Sequence, residues 1–179
     1  GRQALNGVTE SAPSDARLLL ADTLRQPTTW ILANPEREVP ASEAEIFLGR
    51  LTRCAAGEPL PYVLGWWEFY GRRFAVGPDV LIPRPETEIL VEIALEDLRR
   101  RDPGSRVVDV GTGSGCVAIS LAAEIEGQRV AADDLSRDAL KVARENARAH
   151  AVDTRVRFVQ ADLLTSLRGP WDLVCANLP

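Results

Sequence analysis

Hydrophobic and polar positions change period along the chain. From Ser14 to about Leu24, apolar residues recur at helical spacing, with Ala16, Leu19, Leu20 and Thr23 on roughly one face and Ser14 placed to cap the helix after Pro13. Ser42-Glu43-Ala44-Glu45 has the form of a capping box. It predicts a helix to about Ala56, with Ile46, Phe47, Leu51 and Cys54 on one side and Gly57 as its stop. From Pro61 the pattern shortens. Tyr62 to Gly71 is rich in aromatics and glycine, and Phe74-Ala75-Val76 and Val80-Leu81-Ile82 flank Gly77-Pro78-Asp79, which predicts a hairpin. Pro85 sits in the first turn of a helix reaching about Arg101, with Glu86 and Glu88 near its positive end.

After Pro103-Gly104, strands and helices alternate. Strand 106–110 leads to helix 115–125, and strand 129–133 to helix 137–149 with Ser136 as cap. Strand 155–160 leads through a loop to strand 171–176. This rhythm predicts an α/β fold of parallel βαβ units with right-handed crossovers. The predicted organisation is a helical domain at 1–60, a β-hairpin linker at 61–84 and an α/β domain at 85–179.

Composition narrows the function classes. The 179 residues are 45% hydrophobic and 26% charged, normal for a globular protein, and no apolar run approaches the length of a membrane span. A net charge of −5 argues against stable binding of nucleic acid by general electrostatics. Arg99-Arg100-Arg101 reads as a solvated helix end. Cys54, Cys116 and Cys175 are far apart and His150 stands alone, so no metal-ligand spacing occurs and a reducing cytoplasm fits best.

The strongest local chemistry is Val107-Val108-Asp109-Val110-Gly111-Thr112-Gly113-Ser114-Gly115. A hydrophobic strand enters three alternate glycines and then a helix, where glycine permits the tight turn and close approach of a ligand. Free N–H groups at the helix start would favour a carboxylate or phosphate. A dinucleotide fingerprint wants glycine or alanine where Cys116 stands. The second strand ends on Asp133-Asp134, and an acid there can accept from both ribose hydroxyls. Asp134 is the better placed, with Asp133 a solvated neighbour. Asp162, at the end of the third strand, is placed to accept from an adenine amino group or to cap a turn.

Asp-x-Gly-x-Gly-x-Gly, with Asp109, Gly111, Thr112, Gly113 and Gly115, resembles the first motif of S-adenosylmethionine-dependent methyltransferases. Further blocks occur in order: Gly57-Glu58-Pro59-Leu60-Pro61-Tyr62-Val63-Leu64-Gly65, Trp67-Glu68-Phe69-Tyr70-Gly71, Leu81-Ile82-Pro83-Arg84-Pro85-Glu86-Thr87-Glu88 and Asn177-Leu178-Pro179. Together they resemble the HemK/PrmC family of protein-glutamine methyltransferases, which act on peptide-chain release factors. The resemblance implies a small helical domain, a hairpin connector and a Rossmann-like class I methyltransferase domain, with the strands present in the order 3-2-1-4. It also implies S-adenosyl-L-methionine as cofactor, a release factor as partner, cytoplasmic location and a monomeric complete enzyme.

By the same resemblance, Asn177 accepts one N–H of the glutamine amide through its side-chain oxygen and the Leu178 carbonyl accepts the other. Pro179 completes the motif, and Pro85 and Glu86 help to form the pocket. Leu178 stands where the family usually has proline, so the carbonyl survives but the fixed φ is lost. The chain stops where an aromatic residue should follow. A fragment ending here is expected to keep cofactor binding, to be weak or inactive in catalysis and to self-associate through its fourth strand, which becomes an edge. Three other readings stay open: an adenine-N6 nucleic-acid methyltransferase, a non-catalytic cofactor- or partner-binding module, and, more distantly, a dehydrogenase using NAD.

Overall fold

A computed structural model of the chain describes residues 11–101 and 104–178. Pro103 and Pro179, both named above, lie outside the described residues. The chain divides into two compact units, residues 1–65 and 66–179.

The first unit contains helices α1 (Ala12–Thr23), α2 (Thr28–Ala33), α3 (Ala41–Ala55) and α4 (Leu60–Leu64). Leu19 and Ala21 of α1 and Leu51 and Cys54 of α3 are buried. The Arg50 guanidinium of α3 donates to the Asp22 carboxylate at 2.8 Å and to the Thr23 hydroxyl at 3.0 Å on α1.

Two predicted caps are corrected here. Proline is tolerated within the first turn, so α1 begins before Pro13, and Ser14 lies inside it with its hydroxyl on the Ser11 carbonyl at 2.8 Å. Pro40 precedes α3 and its carbonyl accepts from the Ala44 amide at 2.9 Å. Ser42 is therefore already helical, and its hydroxyl meets the Glu43 carboxylate instead of a backbone amide. Ile46, expected on the packed side, is exposed. Gly57 ends α3 as expected, in the left-handed region at φ 91°.

The second unit opens with an antiparallel hairpin of β1 (Trp66–Phe69) and β2 (Arg72–Ala75). Its turn is Tyr70-Gly71, both at positive φ (50° and 67°), the twist that suits a two-residue hairpin loop. The predicted turn at Gly77-Pro78-Asp79 forms, with Val80 N donating to the Gly77 carbonyl at 3.1 Å, but no strand follows at Val80-Leu81-Ile82, so it closes no hairpin, and residues 60–64 are helical. The reason is tertiary. Phe69 and Phe74 are fully buried and meet edge to face at 6.0 Å, and Asn146 occupies the free edge of β2 at Ala75.

Helix α5 (Pro85–Leu98) is followed by β3 (Val107–Val110), α6 (Cys116–Glu124), β4 (Val130–Asp134), α7 (Arg137–Ala149), β5 (Val156–Gln160), a 3-10 turn (Leu163–Ser166) and β6 (Leu173–Ala176). The four strands after the hairpin form one parallel sheet in the order β5-β4-β3-β6. This is the expected 3-2-1-4 arrangement. β3 is buried throughout, as a central parallel strand must be.

Val91, Ala94, Leu95 and Leu98 of α5 share one stripe and join the core that α6 fills with residues buried on every side. The opposite face of the sheet carries Val108 and Val110 with Leu167 and Trp171. The basic run after α5 pairs back along the helix, Arg100 to Glu96 and Arg101 to Asp97. Cys54, Cys116 and Cys175 are buried free thiols. No helix among the described residues is long and apolar enough to cross a membrane.

Candidate functional site

Parallel pairing brings the carboxyl ends of all four strands to one edge. Val110 pairs with Asp133 on one side and with Ala176 on the other. Gly111, Asp134 and Asn177 therefore leave the sheet from three adjacent strand ends. The chain goes to β4 on one flank of β3 and to β6 on the other, and such a reversal of strand order opens a ligand crevice in α/β sheets.

The loop from 111 to 115 holds its three glycines at φ 66°, 54° and 82°, a conformation that side chains rarely adopt. A methyl group on Gly115 would lie 2.8 Å from Ile119 Cδ1 and 3.2 Å from Ala143 Cβ, so α6 and α7 approach each other there only because the side chain is missing.

The amides of this loop differ from expectation. Gly111 N donates to Asp133 Oδ1 (3.2 Å), Thr112 N to the Asp133 carbonyl (2.7 Å) and Gly113 N to Asp134 Oδ2 (2.9 Å). They are tied down by the neighbouring strand end instead of waiting for an anion. Asp134 Oδ1 also accepts from Ser136 N at 2.9 Å, and the Ser136 hydroxyl caps α7 as expected by accepting from Ala139 N at 3.1 Å. A carboxylate has about four lone-pair sites, so Asp134 retains capacity for ligand hydroxyls.

Asp133 is buried rather than solvated, and its Oδ2 has no partner among the described residues. Burial pushes its carboxyl pKa up, and nearby Asp134 adds to the shift. Asp109 lies beneath the loop. Its Oδ2 accepts from the Thr112 hydroxyl at 2.6 Å and from Ala118 N at 3.2 Å. Burial raises the Asp109 carboxyl to about 7 despite those two bonds. Asp109 and Thr112 are thus internal struts of the loop.

Asp162 follows β5 with its carboxylate exposed, and its carbonyl accepts from Thr165 N at 3.3 Å. Ala161 N donates to the Asp134 carbonyl at 3.2 Å, which keeps Asp162 beside the end of β4. Asn177 is exposed, and its Nδ2 donates to the buried Thr87 hydroxyl oxygen at 2.7 Å. The Leu178 side chain lies over the glycine loop, since a methyl group on Gly111 would fall 2.5 Å from Leu178 Cδ2. Pro85 and Glu86 are exposed at the start of α5. Within this block Thr87 bonds Asn177, and the Glu88 carboxylate accepts from Tyr70 N at 2.7 Å.

A separate concavity of about 700 Å³ lies at the opposite ends of the strands, lined by Arg106, Val130, Arg157 and Trp171 among others, and includes no residue of the glycine loop.

Residues 1–65 match the PrmC N-terminal domain family, and residues 86–179 match the methyltransferase small domain family. The chain belongs to the methyltransferase small domain family. The HemK/PrmC resemblance read from the sequence is thereby borne out. A release factor glutamine methyltransferase of Nitratidesulfovibrio vulgaris is 44% identical over 99% of this chain and 61% of its own length. One of Chlorobaculum tepidum is 43% identical over 92% of this chain and 59% of its own. The chain thus spans about three fifths of the length of these relatives. The solved human methyltransferase 10 domain-containing protein superposes with a TM-score of 0.50 at 21% identity, covering 59% of this chain and 53% of that one, a likeness of fold.

Two site residues of this small domain went unnamed in the sequence reading. Thr87 lies inside the Pro-Arg-Pro-Glu-Thr-Glu block with no local signal of its own. Asn146 had a visible signal: it is a polar residue on the face of α7 formed by Ala139, Leu140, Ala143 and Ala147.

Proposed function

We propose that this protein transfers a methyl group from S-adenosyl-L-methionine to the side-chain nitrogen of a glutamine in a peptide-chain release factor. The observation that carries the cofactor assignment is the use of the Gly111, Thr112 and Gly113 amides by Asp133 and Asp134. A pyrophosphate would find these three amides engaged and two carboxylates facing it, which disfavours a dinucleotide. S-adenosylmethionine carries an ammonium and a sulfonium, and a carboxylate-rich strand end suits such a cation. Asp134 would hold the ribose hydroxyls, Asp162 the adenine amino group and the Gly111–Gly115 loop the amino-acid portion. The bound cofactor supplies an electrophilic methyl group.

The chain's own task is then to present a poor nucleophile. An amide nitrogen is delocalised into its carbonyl, and two acceptors on its hydrogens favour the attacking geometry. Asn177 Oδ1 and the Leu178 carbonyl are the two acceptors, with Pro179 following and Pro85 and Glu86 at the rim. Positioning of this kind contributes up to roughly 7–11 kcal/mol. The relatives named above act on release factors by their names, and the acidic balance of this chain agrees with a protein acceptor over a nucleic acid. Such a substrate places the protein in the cytoplasm, where free thiols persist.

The deciding experiment incubates a version of the protein at the full length of its relatives with methyl-labelled S-adenosylmethionine and a release factor carrying its Gly-Gly-Gln loop. Label on that glutamine is the expected result. Label on RNA or DNA, or none on the glutamine, defeats the assignment.

A further inference from the structure

We infer that Thr87 is a positioning residue that fixes which end of the Asn177 carboxamide faces the acceptor. The inference rests on the functional reading above and adds a part to it. The oxygen and nitrogen of a carboxamide are nearly alike in size and opposite in hydrogen-bonding role. An asparagine at an exposed strand end can therefore present either one, and only the oxygen can receive an amide hydrogen from the acceptor. Asn177 is exposed, so its own packing does not decide.

Thr87 decides. Its hydroxyl is buried in the first turn of α5 and takes the Asn177 Nδ2 hydrogen at 2.7 Å. The nitrogen is thereby turned to the helix and Oδ1 is left for the acceptor. Thr87 is itself well seated: its amide donates to the Arg84 carbonyl at 3.0 Å, and the adjacent Glu88 holds Tyr70 N. This accounts for a threonine between two glutamates, one exposed at the rim and one bonded to the hairpin turn. Of the three, the threonine is the one bonded to Asn177, just past the end of β6.

The test compares Thr87→Val, which keeps the shape and removes the hydroxyl, with Thr87→Ser, which keeps the hydroxyl. In the first measurement, the side-chain amide protons of Asn177 are followed by NMR in nitrogen-15-labelled protein, without substrate. A hydrogen-bonded, exchange-protected proton is expected in the wild type and in Thr87→Ser, and its loss in Thr87→Val. The second measurement is methyl transfer to the release factor by the version at the full length of the relatives. Thr87→Val is expected to lower kcat by about tenfold, the scale of one lost hydrogen bond, with cofactor affinity unchanged. Thr87→Ser should stay near the wild type.

Free exchange of the Asn177 amide in the wild type, equal impairment by Ser and Val, or an unchanged kcat in Thr87→Val overturns the inference. A wild type that methylates no glutamine defeats the functional reading instead. The protection of the Asn177 proton then still decides whether Thr87 holds it.

Discussion

The Thr112 hydroxyl donates a 2.6 Å hydrogen bond to the Asp109 carboxylate, and both residues are buried beneath the glycine loop. The loop is thus strapped to the strand that precedes it. The strap carries a proton near neutrality, because burial raises the Asp109 carboxyl from 3.8 to about 7. A carboxyl whose pKa rises on folding binds its proton more tightly in the folded state. Its contribution to stability is complete below the unfolded pKa and is lost as pH rises through the folded value. Urea unfolding between pH 4 and pH 8 is expected to show stability falling toward pH 7 and levelling beyond it. Asp109→Asn keeps an acceptor for Thr112 and Ala118 but has no proton to lose, so that component of the slope should vanish. An identical slope in the variant would remove Asp109 as its source.

Gly111 is constrained twice, by its φ of 66° and by Leu178. Gly113 has φ 54° and nothing within 4 Å of an added methyl. Gly113→Ala should therefore lose only the left-handed penalty, roughly 1–2 kcal/mol. Gly111→Ala should lose more, and Leu178→Ala in the same chain should recover the excess and bring its cost close to that of Gly113→Ala. Denaturant unfolding of the wild type and these three variants reads this directly. Equal cost for the two glycine variants would show that Leu178 yields freely.

Asp134 serves the loop and, in the proposed function, the cofactor. Asp134→Ala removes the acceptor for Gly113 N and for Ser136 N as well as any bond to ribose. Calorimetric titration is expected to show S-adenosylmethionine binding weakened by tenfold or more, at about 1.5–3 kcal/mol per charge-assisted hydrogen bond. NAD should produce no binding heat in the wild type. Heat from NAD comparable to that from S-adenosylmethionine would reverse the cofactor assignment.

Asn146 is buried and saturates three backbone groups. Its Oδ1 accepts from Ala75 N at 2.7 Å, and its Nδ2 donates to the Ala75 carbonyl at 3.1 Å and the Ser114 carbonyl at 2.9 Å. It joins the hairpin, α7 and the end of the glycine loop. Asn146→Leu should destabilise the protein by about 1–3 kcal/mol for each backbone group left unpaired. Hydrogen exchange should show loss of protection at Ala75 first. Unchanged protection there would mean that Phe74, packed 4.9 Å from the His150 ring, suffices to hold the hairpin.

Local pattern was enough for whatever a single element decides. The alternation of strands and helices after residue 104, the Ser136 cap, the Gly57 stop and the glycine loop were all legible, because hydrophobic periodicity and backbone permissiveness act over a few residues. Local pattern was misleading where two local solutions compete. Gly77-Pro78-Asp79 and Tyr70-Gly71 both turn the chain, and which of them joins two paired strands fell to burial of Phe69 and Phe74 and to Asn146 from α7, more than seventy residues away from Ala75.

The candidate site divides in the same way. Which residues stand at the strand ends follows from the sequence: Gly111, Asp134, Asp162 and Asn177 each occur just after an apolar run. What those residues do for one another does not. The loop amides close onto Asp133 and Asp134, Asp133 is buried instead of solvated, and Thr87 meets Asn177 across ninety positions. Hydrogen bonds between distant segments form only after the sheet has set its register. Parallel pairing of Val110 with both Asp133 and Ala176, and of Asp134 with Gln160, is the step that turns four separate strand ends into one site.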